Sequence, residues 1–440
     1  MNFNIKNGLN LWNEALDVIP GGNMLLSKNK NLYSPSLWPC YYSKVKGSNV
    51  WDIDGNKYLD FSSNGVGACS LGHANKNVDS EVIKTIKNGV MSSLNTPLEV
   101  SLSKTLISLH SWSNMCRLAR TGGEANSIAI RIARAYSGKD KIAICGYHGW
   151  HDWYLAANLK GKDTLKDHLL EGLGSKGVPN LLSGSIIPLR FNNFEDLDLL
   201  SNNNEIAALK MEVTRTVPPK ENYLEKIRKI CDKKNIILIF DECTTGFRES
   251  YGGIHLNYGI NPDMCMFGKA LGNGYAISAI IGKREIMMAA CETFISSTFW
   301  TEAVGPAAGT AALKQMKKLK SWEKLPKIGK QVKEIWSRSA SKHNLQIQIN
   351  GIDALPTFQF ICDKPEGFKT ALTELMLEKG FLATTLFYPT VAHSKQNLND
   401  YKEALDDTFK QISRELNSSN GDPSNLCKNG FCKPTFKRLN

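Results

Sequence analysis

The sequence predicts an α/β protein whose central sheet is mostly parallel. Three short and mostly apolar runs, at 236–240, 264–267 and 276–282, have the pattern of strands that are buried on both faces. The segment 119–138 instead places its apolar residues at helical spacing. With 440 residues, the chain is longer than one hydrophobic core usually supports, so two subdomains are expected.

Two of the apolar runs end on residues that carry chemistry. The first is followed by the acidic pair Asp241 and Glu242, and the second by Lys269, 28 positions after Asp241. A buried carboxylate and a buried amine on neighbouring strands can be a plain structural ion pair. They are also what pyridoxal 5'-phosphate (PLP) chemistry needs: an amine that forms a Schiff base and an acid that pairs with the pyridinium nitrogen.

The residues around this pair are similar to a known family. DECTTGFR at 241–248 and PDMCMFGKALGNG at 262–274 resemble the signature of the class III PLP-dependent aminotransferases, and within that class the glutamate-1-semialdehyde aminomutase-like proteins. The resemblance implies the aspartate-aminotransferase-like fold of PLP-dependent transferases. Its large PLP-binding domain is expected at 66–305, and its small α+β domain is expected to combine residues 1–65 and 306–416. Residues 417–440 are expected to form a mobile tail.

Composition is that of an ordinary globular protein, with 42% hydrophobic and 22% charged residues. No signal peptide or membrane-spanning run is recognisable, and eleven cysteines without framework spacing are typical of reduced thiols, so a cytoplasmic location is expected. Cys427 and Cys432 have no second pair nearby, and no metal site is expected. The net charge of +12 is dispersed among acids, which favours attraction of anionic substrates over binding of nucleic acid.

The helix predicted at 119–138 opens with Thr121-Gly122-Gly123 and ends at Gly138. Free N–H groups and the positive end of the helix dipole make its start an anion site, and the glycines let a phosphate approach the backbone. The resemblance implies that the PLP phosphate binds here, where the family has SGTEA. Gly123 replaces the family's threonine, so a hydroxyl contact is lost while the backbone contact is kept.

An aromatic residue follows the next predicted strand. Tyr147 stands in a Tyr-His-Gly triplet, and the resemblance implies that its ring covers one face of PLP. The alternative is a tyrosine that packs beneath a loop. Residues 155–190 predict an irregular loop longer than a connection needs, and we hypothesise that it covers the active site.

Substrate contacts are expected from two further segments. A predicted strand ends at Glu212, where the family has a glutamate that contacts substrate or another active-site side chain; Arg215 is a candidate that the family's motif does not predict. Asn64 lies in the glycine-rich loop 62–75, which approaches substrate in the family. His73, in the same loop, is interpreted as a turn or helix-capping residue in preference to a catalyst.

The resemblance also implies a homodimer with active sites at the interface. Related enzymes carry a threonine, five residues before a proline, that reaches the phosphate bound by the neighbouring subunit. Counting back from Pro306 indicates Thr301, with Thr298 as the alternative if the loop is offset.

The mechanism that the resemblance implies assigns two catalytic residues. Lys269 would hold PLP covalently and then move a proton between the substrate carbon and the cofactor, while Asp241 would keep the ring nitrogen protonated so that the ring accepts electrons. Glutamate-1-semialdehyde aminomutases have an arginine near the N-terminus that suits a substrate carboxylate. The corresponding stretch 21–39 contains no arginine.

The first hypothesis for the function is therefore an intermolecular aminotransferase. It would take an amino acid donor and a keto or aldehyde acceptor, with a sugar of surface-polysaccharide biosynthesis as one candidate. Intramolecular amino transfer of the aminomutase type is the alternative. A PLP-binding relative without turnover is a remote third, which the retention of both Lys269 and Asp241 argues against.

Overall fold

The computed structural model describes residues 4–161, 174–418, 421–427 and 429–433. The strands in this part of the chain are β1 (Tyr42–Lys46), β2 (Asn49–Asp52), β3 (Lys57–Phe61), β4 (Met115–Ala119), β5 (Lys141–Cys145), β6 (Ile186–Pro188), β7 (Ile206–Met211), β8 (Ile237–Asp241), β9 (Met264–Phe267), β10 (Ser278–Gly282), β11 (Ile347–Asn350), β12 (Thr357–Phe360) and β13 (Phe381–Ala383). Its α-helices are α1 (Lys6–Val18), α2 (Lys76–Lys87), α3 (Pro97–Ser108), α4 (Gly122–Ser137), α5 (Asp152–Leu155), α6 (Leu197–Asn202), α7 (Tyr223–Lys234), α8 (Arg284–Met287), α9 (Val304–Leu319), α10 (Ser321–Lys342), α11 (Pro365–Glu378) and α12 (Lys395–Leu416).

The described residues divide into two compact units. One consists of Lys76–Glu323, and the other combines residues up to Asn75 with residues from Lys324 onward. The sequence analysis placed these boundaries earlier, at 65/66 and at 305/306. The second boundary lies later because α9 packs against α2 and α3 and so belongs to the larger unit.

A seven-stranded sheet with the strand order β4-β10-β9-β8-β7-β5-β6 forms the centre of the larger unit. The neighbours from β9 to β6 are parallel, and β10 is antiparallel to both β9 and β4. Every residue of β7, β8, β9 and β10 is buried, as expected of strands that are covered on both faces. The predicted α/β fold with a mostly parallel central sheet is therefore confirmed.

The predicted helix at 119–138 is α4, and it ends where expected, at Gly138 with a left-handed φ of 65°. Its buried face, which includes Ile128 and Ile132, belongs to the same apolar cluster as Ile144 of β5 and Ile239 of β8. This packing holds the first turn of α4 against the sheet.

The smaller unit has a four-stranded sheet, β1-β2-β3-β13, and a two-stranded sheet, β11-β12. Its core is rich in aromatic rings, and Trp336 is buried with its Nε1 donating to Tyr401 Oη (2.9 Å). Two residues in the described part of the C-terminal tail, Pro423 and Cys432, are buried. Cys432 is buried, and its N–H donates to Thr370 Oγ1 on α11 (2.8 Å).

The expectations about membrane-spanning segments and about cysteines can be compared with the described residues. None of the helices among them is both long and apolar enough to cross a membrane. The eleven cysteines, all of which lie in described segments, are free thiols. Cys427 and Cys432 each direct their thiols at a carbonyl of α11.

Candidate active site

Four parallel strands bring most of the predicted residues to one edge of the central sheet. β5, β7, β8 and β9 are consecutive neighbours, and their carboxyl ends lead to Tyr147, Glu212, Asp241 and Lys269, respectively. Main-chain hydrogen bonds continue across these ends, since the Glu212 N–H donates to the Cys145 carbonyl (3.0 Å). In open α/β sheets, ligands bind at this edge.

Asp241, the last residue of β8, is a buried carboxylate with three polar contacts. Its Oδ2 accepts a hydrogen bond from His148 Nδ1 (2.9 Å) and lies 3.5 Å from Lys210 Nζ, while its Oδ1 accepts one from the Cys243 N–H (3.1 Å). Burial raises the pKa of this carboxyl group, but Lys210, His148 and the Cys243 N–H outweigh burial and leave the pKa lowered. Asp241 is therefore ionised at neutral pH.

The lysine beside Asp241 was missed by the sequence analysis. Lys210 lies within β7 and is completely buried, with its Nζ 2.8 Å from Met266 Sδ. A lysine is almost never fully buried unless it is paired, and Asp241 supplies the opposite charge. A basic residue inside an otherwise apolar strand was the signal that could have identified it.

Lys269 is held in an uncommon conformation two residues after β9. Its φ of 44° lies in the left-handed region, which residues other than glycine rarely adopt, and such residues cluster at functional sites. Its Nζ donates to Oγ1 of Thr244 (2.7 Å). Thr244 lies three residues after Asp241 in the sequence. Thr244 is a second contact that the sequence analysis did not identify.

The start of α4 lies close to the same strand ends. A Cβ on Gly122 would be 3.4 Å from Cys243 Sγ, and a Cβ on Gly268 would be at the same distance. Ser278 Oγ of β10 also donates to the Thr121 carbonyl (2.9 Å). The segments that carry Asp241, Lys269 and Gly122 therefore meet at Cys243.

The first turn of α4 keeps two unsatisfied donors. Thr121 and Glu124 form a capping box, in which Thr121 Oγ1 accepts from the Glu124 N–H (3.2 Å) and Glu124 Oε2 accepts from the Thr121 N–H (2.8 Å). The N–H groups of Gly122 and Gly123 are left without a hydrogen-bond partner among the described residues. The prediction of an anion site at this helix start thus has donors to support it.

Tyr147 and Arg215 are connected through Glu212. Glu212 Oε2 accepts from the Tyr147 N–H (3.1 Å), and its Oε1 accepts from Arg215 Nη1 (3.1 Å). Glu212 and Arg215 are both buried. The Tyr147 ring meets Tyr154 edge-on, with centroids 6.2 Å apart. Glu212 therefore positions the backbone that carries the Tyr147 ring.

Glu242, His255 and Cys265 have ligand atoms close enough together to suggest a metal site. The hydrogen bonds favour a structural role instead. Glu242 Oε1 accepts from both the N–H (2.9 Å) and Nδ1 (3.0 Å) of His255, and His255 Nε2 accepts from Trp112 Nε1 (3.2 Å). Both ring nitrogens are occupied, so this cluster anchors the segment after β8.

The remaining candidates belong to other segments of the chain. Asn64, in the smaller unit, is buried with φ 44° and donates to the Tyr388 carbonyl (2.7 Å). His73, also in that unit, pairs with Asp60 (3.5 Å), which supports its structural interpretation. Thr301 and Thr298 are both exposed, and Thr301 Oγ1 donates to the Thr298 carbonyl (3.0 Å). Residues 162–173 of the hypothesised covering loop lie outside the described residues, and 186–188 form strand β6.

Comparison with known proteins decides the family. Residues 33–415 match the family described as aminotransferase class-III. The chain belongs to the class III aminotransferases. Class III aminotransferases use PLP, which is therefore the cofactor of this enzyme.

Named relatives of this class III enzyme include both aminotransferases and aminomutases. It is 29% identical to 3-aminobutyryl-CoA aminotransferase of Cloacimonas acidaminovorans, covering 94% of this chain and 99% of the relative. It is 31% identical to glutamate-1-semialdehyde 2,1-aminomutase of Methanosphaera stadtmanae, covering 90% and 96%, respectively. The fold matches the PLP form of FumI from Sphingopyxis sp. MTA144 with a TM-score of 0.83, 22% identity and coverage of 94% and 99%.

Proposed function

We propose that this protein is an intermolecular aminotransferase that moves an amino group from an amino acid to a keto or aldehyde acceptor. The observation that carries the proposal is the position of an ionised, buried Asp241 and of Lys269 at the carboxyl ends of the adjacent strands β8 and β9. Gly122, one of the two α4 residues with a free N–H group, lies against Cys243, which follows Asp241 by two residues. A carboxylate, an amine and an anion site are the three groups that PLP requires, so the residues present fit the cofactor.

Each site residue has a role that its contacts support. Asp241 would pair with the ring nitrogen, and Lys210 and His148 keep its charge in place. Lys269 would attach the cofactor and then carry a proton at Nζ to and from the substrate carbon, with Thr244 Oγ1 as its resting partner. When bound, PLP supplies an electron sink for the bond that breaks at that carbon.

Binding of the cofactor would use the remaining predicted residues. Gly122 and Gly123 would donate their N–H groups to its phosphate. Tyr147 would cover one ring face, and the Glu212 carboxylate that accepts from its N–H holds it in position. Glu212 and Asn64 remain proposals for substrate contacts.

The choice of acceptor rests on the absence of arginine from residues 21–39. A carboxylate substrate is usually held by a guanidinium group, whereas a sugar can be held by neutral hydrogen-bonding groups. A keto or aldehyde sugar of surface-polysaccharide biosynthesis is therefore the proposed acceptor. The aminomutase relatives favour intramolecular amino transfer as the second candidate.

A homodimer is proposed for the assembly, in the cytoplasm. Large apolar side chains are exposed on the segment of Thr301 (Phe299) and on the segment around Val90 (Ile86 and Leu94), and exposed apolar surface marks interaction sites. The Ala303 N–H donates to the Val90 carbonyl (2.9 Å), which joins the segment after α2 to the segment of Thr301. Thr301 of one subunit would reach the phosphate held by the other.

The test is an absorbance spectrum of the purified protein with PLP, followed by addition of single amino donors. A yellow species that is missing in Lys269→Ala would support covalent attachment of the cofactor. Loss of the yellow colour with one donor, recovered on adding a keto or aldehyde sugar, would support intermolecular transfer. Failure of any donor to bleach the wild-type protein would contradict the proposal, and conversion of glutamate-1-semialdehyde alone would favour the aminomutase alternative.

A further inference from the structure

A histidine ring occupies the space beside Gly123, where the family's threonine would project. A Cβ built on Gly123 would lie 3.0 Å from His151 Nε2 and 3.4 Å from His151 Cδ2. A real side chain at position 123 would need the ring to shift. The glycine at position 123, where the family has a threonine, therefore leaves the space that the His151 ring occupies.

The hydrogen bonds of His151 indicate which of its nitrogens carries the proton. Ser127 lies one helical turn after Gly123 on α4, and its Oγ accepts from Trp153 Nε1 (3.2 Å). The indole nitrogen can only donate, so the hydroxyl hydrogen of Ser127 is available for the second contact of Ser127 Oγ, which is with His151 Nδ1. When Ser127 donates this hydrogen to His151 Nδ1, the ring proton of the neutral imidazole is on Nε2.

The donor that results faces the start of α4. Burial lowers the pKa of His151, although Glu124 and Asp152 act in the opposite direction, so the ring is neutral at pH 7. Within the described residues, His151 Nε2 has no hydrogen-bond partner. It lies next to Gly123, whose own N–H group is also without a partner there. A hydrogen-bond donor is thus directed to the place where the proposed site would hold an anion.

We propose that His151 is a further cofactor-binding residue, whose Nε2–H donates to the phosphate of PLP in place of the hydroxyl that Gly123 lacks. The inference rests on the proposed phosphate site at the start of α4. It adds a side-chain donor to two backbone donors, and the contact of Trp153 with Ser127 leaves the Ser127 hydroxyl hydrogen free to support the tautomer that makes the donation. A merely steric role, in which the ring fills the gap above Gly123, would need neither the N–H group nor the phosphate.

The first experiment compares a ligand with its phosphate-free counterpart. The full-length apoprotein is titrated with PLP and with pyridoxal, using the wild type and His151→Phe, which keeps a ring but loses the N–H group. Loss of one hydrogen bond to a charged group is expected to weaken PLP binding by about 10-fold or more, with pyridoxal binding unchanged. His151→Gln, which keeps a side-chain N–H donor, should recover part of the loss, and thermal unfolding checks that each variant is folded.

Each outcome of this comparison is informative. Equal weakening of PLP and pyridoxal, or no weakening of either, would overturn the role of His151 while leaving the proposed function intact. If neither ligand binds to the wild-type protein, the proposed function fails and this inference fails with it.

A second experiment reverses the local substitution. Gly123→Thr in the wild-type background brings a Cβ into contact with His151 and is expected to weaken PLP binding. In a His151→Ala background the same change has room and restores a hydroxyl, so it is expected to strengthen PLP binding several-fold. An effect of the same sign in both backgrounds would overturn the proposal.

Discussion

Lys210 Nζ lies 3.5 Å from Asp241 Oδ2, and neither side chain is appreciably exposed to solvent. The two residues come from adjacent parallel strands, β7 and β8, whose register places Lys210 next to Ile239 and Met211 next to Phe240. The carboxylate proposed to pair with the cofactor's ring nitrogen therefore already has a buried cationic neighbour. This arrangement keeps Asp241 ionised whether or not the cofactor is bound.

Replacement of Lys210 by methionine should make cofactor binding sensitive to acid. Burial raises the pKa of Asp241 and Lys210 lowers it, so without Lys210 only His148 and the Cys243 N–H oppose burial and the pKa should be higher than in the wild type. The ionised carboxylate is present above its pKa, so PLP affinity of Lys210→Met should begin to fall at a higher pH than that of the wild type, by up to about 10-fold per pH unit below the pKa. Met266→Leu, which alters the same pocket without changing charge, serves as the control. An identical pH profile for Lys210→Met and wild type would contradict the prediction.

Substitution of Thr301 by valine tests the shared phosphate site. The side chains of Thr301 and Thr298 are both exposed in the single chain, so their exposure does not distinguish them. If Thr301 contacts the partner's phosphate, Thr301→Val should weaken PLP binding by about 10-fold while Thr298→Val has little effect. Dimer content is measured in parallel by size-exclusion chromatography. The reverse ranking would assign the contact to Thr298.

Breaking the Glu212–Arg215 ion pair should destabilise the larger unit. Both side chains are buried, and Glu212→Gln removes the charge opposite Arg215, so the free energy of unfolding is expected to fall by about 3 kcal/mol. The Glu212→Gln/Arg215→Met double variant should recover part of this loss. Denaturant unfolding of both variants provides the measurement. If the losses of unfolding free energy from the two substitutions simply add in the double variant, the ion pair contributes no coupling energy.

Glu242 should contribute stability that depends on pH. Burial raises the pKa of Glu242, but the hydrogen bonds from His255 and Thr245 outweigh burial and lower it. The stability it contributes is therefore present above the ordinary pKa of a glutamate and is lost as the pH falls through the lower value in the folded state. Glu242→Gln should cost about 2–4 kcal/mol at pH 7, and the exposed Glu225→Gln on α7 should change stability by under about 0.5 kcal/mol.

The same variant distinguishes the structural anchor from a metal site. Unfolding temperatures of wild type and Glu242→Gln are compared with and without Zn²⁺. No effect of the ion is expected, because both His255 ring nitrogens are already hydrogen-bonded. A stabilisation of the wild type that Glu242→Gln abolishes would show that the cluster binds metal.

Local patterns in the sequence were sufficient for the central sheet and the helix that begins at Gly122. Short apolar runs of this kind favour strands covered on both faces, and β8, β9 and β10 followed from 236–240, 264–267 and 276–282. Asp241 and Lys269 were found because Asp241 comes directly after such a run and Lys269 two residues after one. The spacing of apolar residues and the glycines at both ends likewise predicted α4 within a few residues.

The neighbours of these residues could not be predicted, because they come from distant parts of the chain. Lys210 meets Asp241 through strand order, His151 meets Gly123 through the turn after β5, and Thr244 meets Lys269 through the packing of two strand ends. Residue patterns alone indicated two strands that lead to a carboxylate and an amine, and a helix start suited to an anion. The three-dimensional contacts were needed to identify the side chains that keep Asp241 charged and the ring that lies beside Gly123, since electrostatic contacts depend on distances in space that residue spacing does not encode.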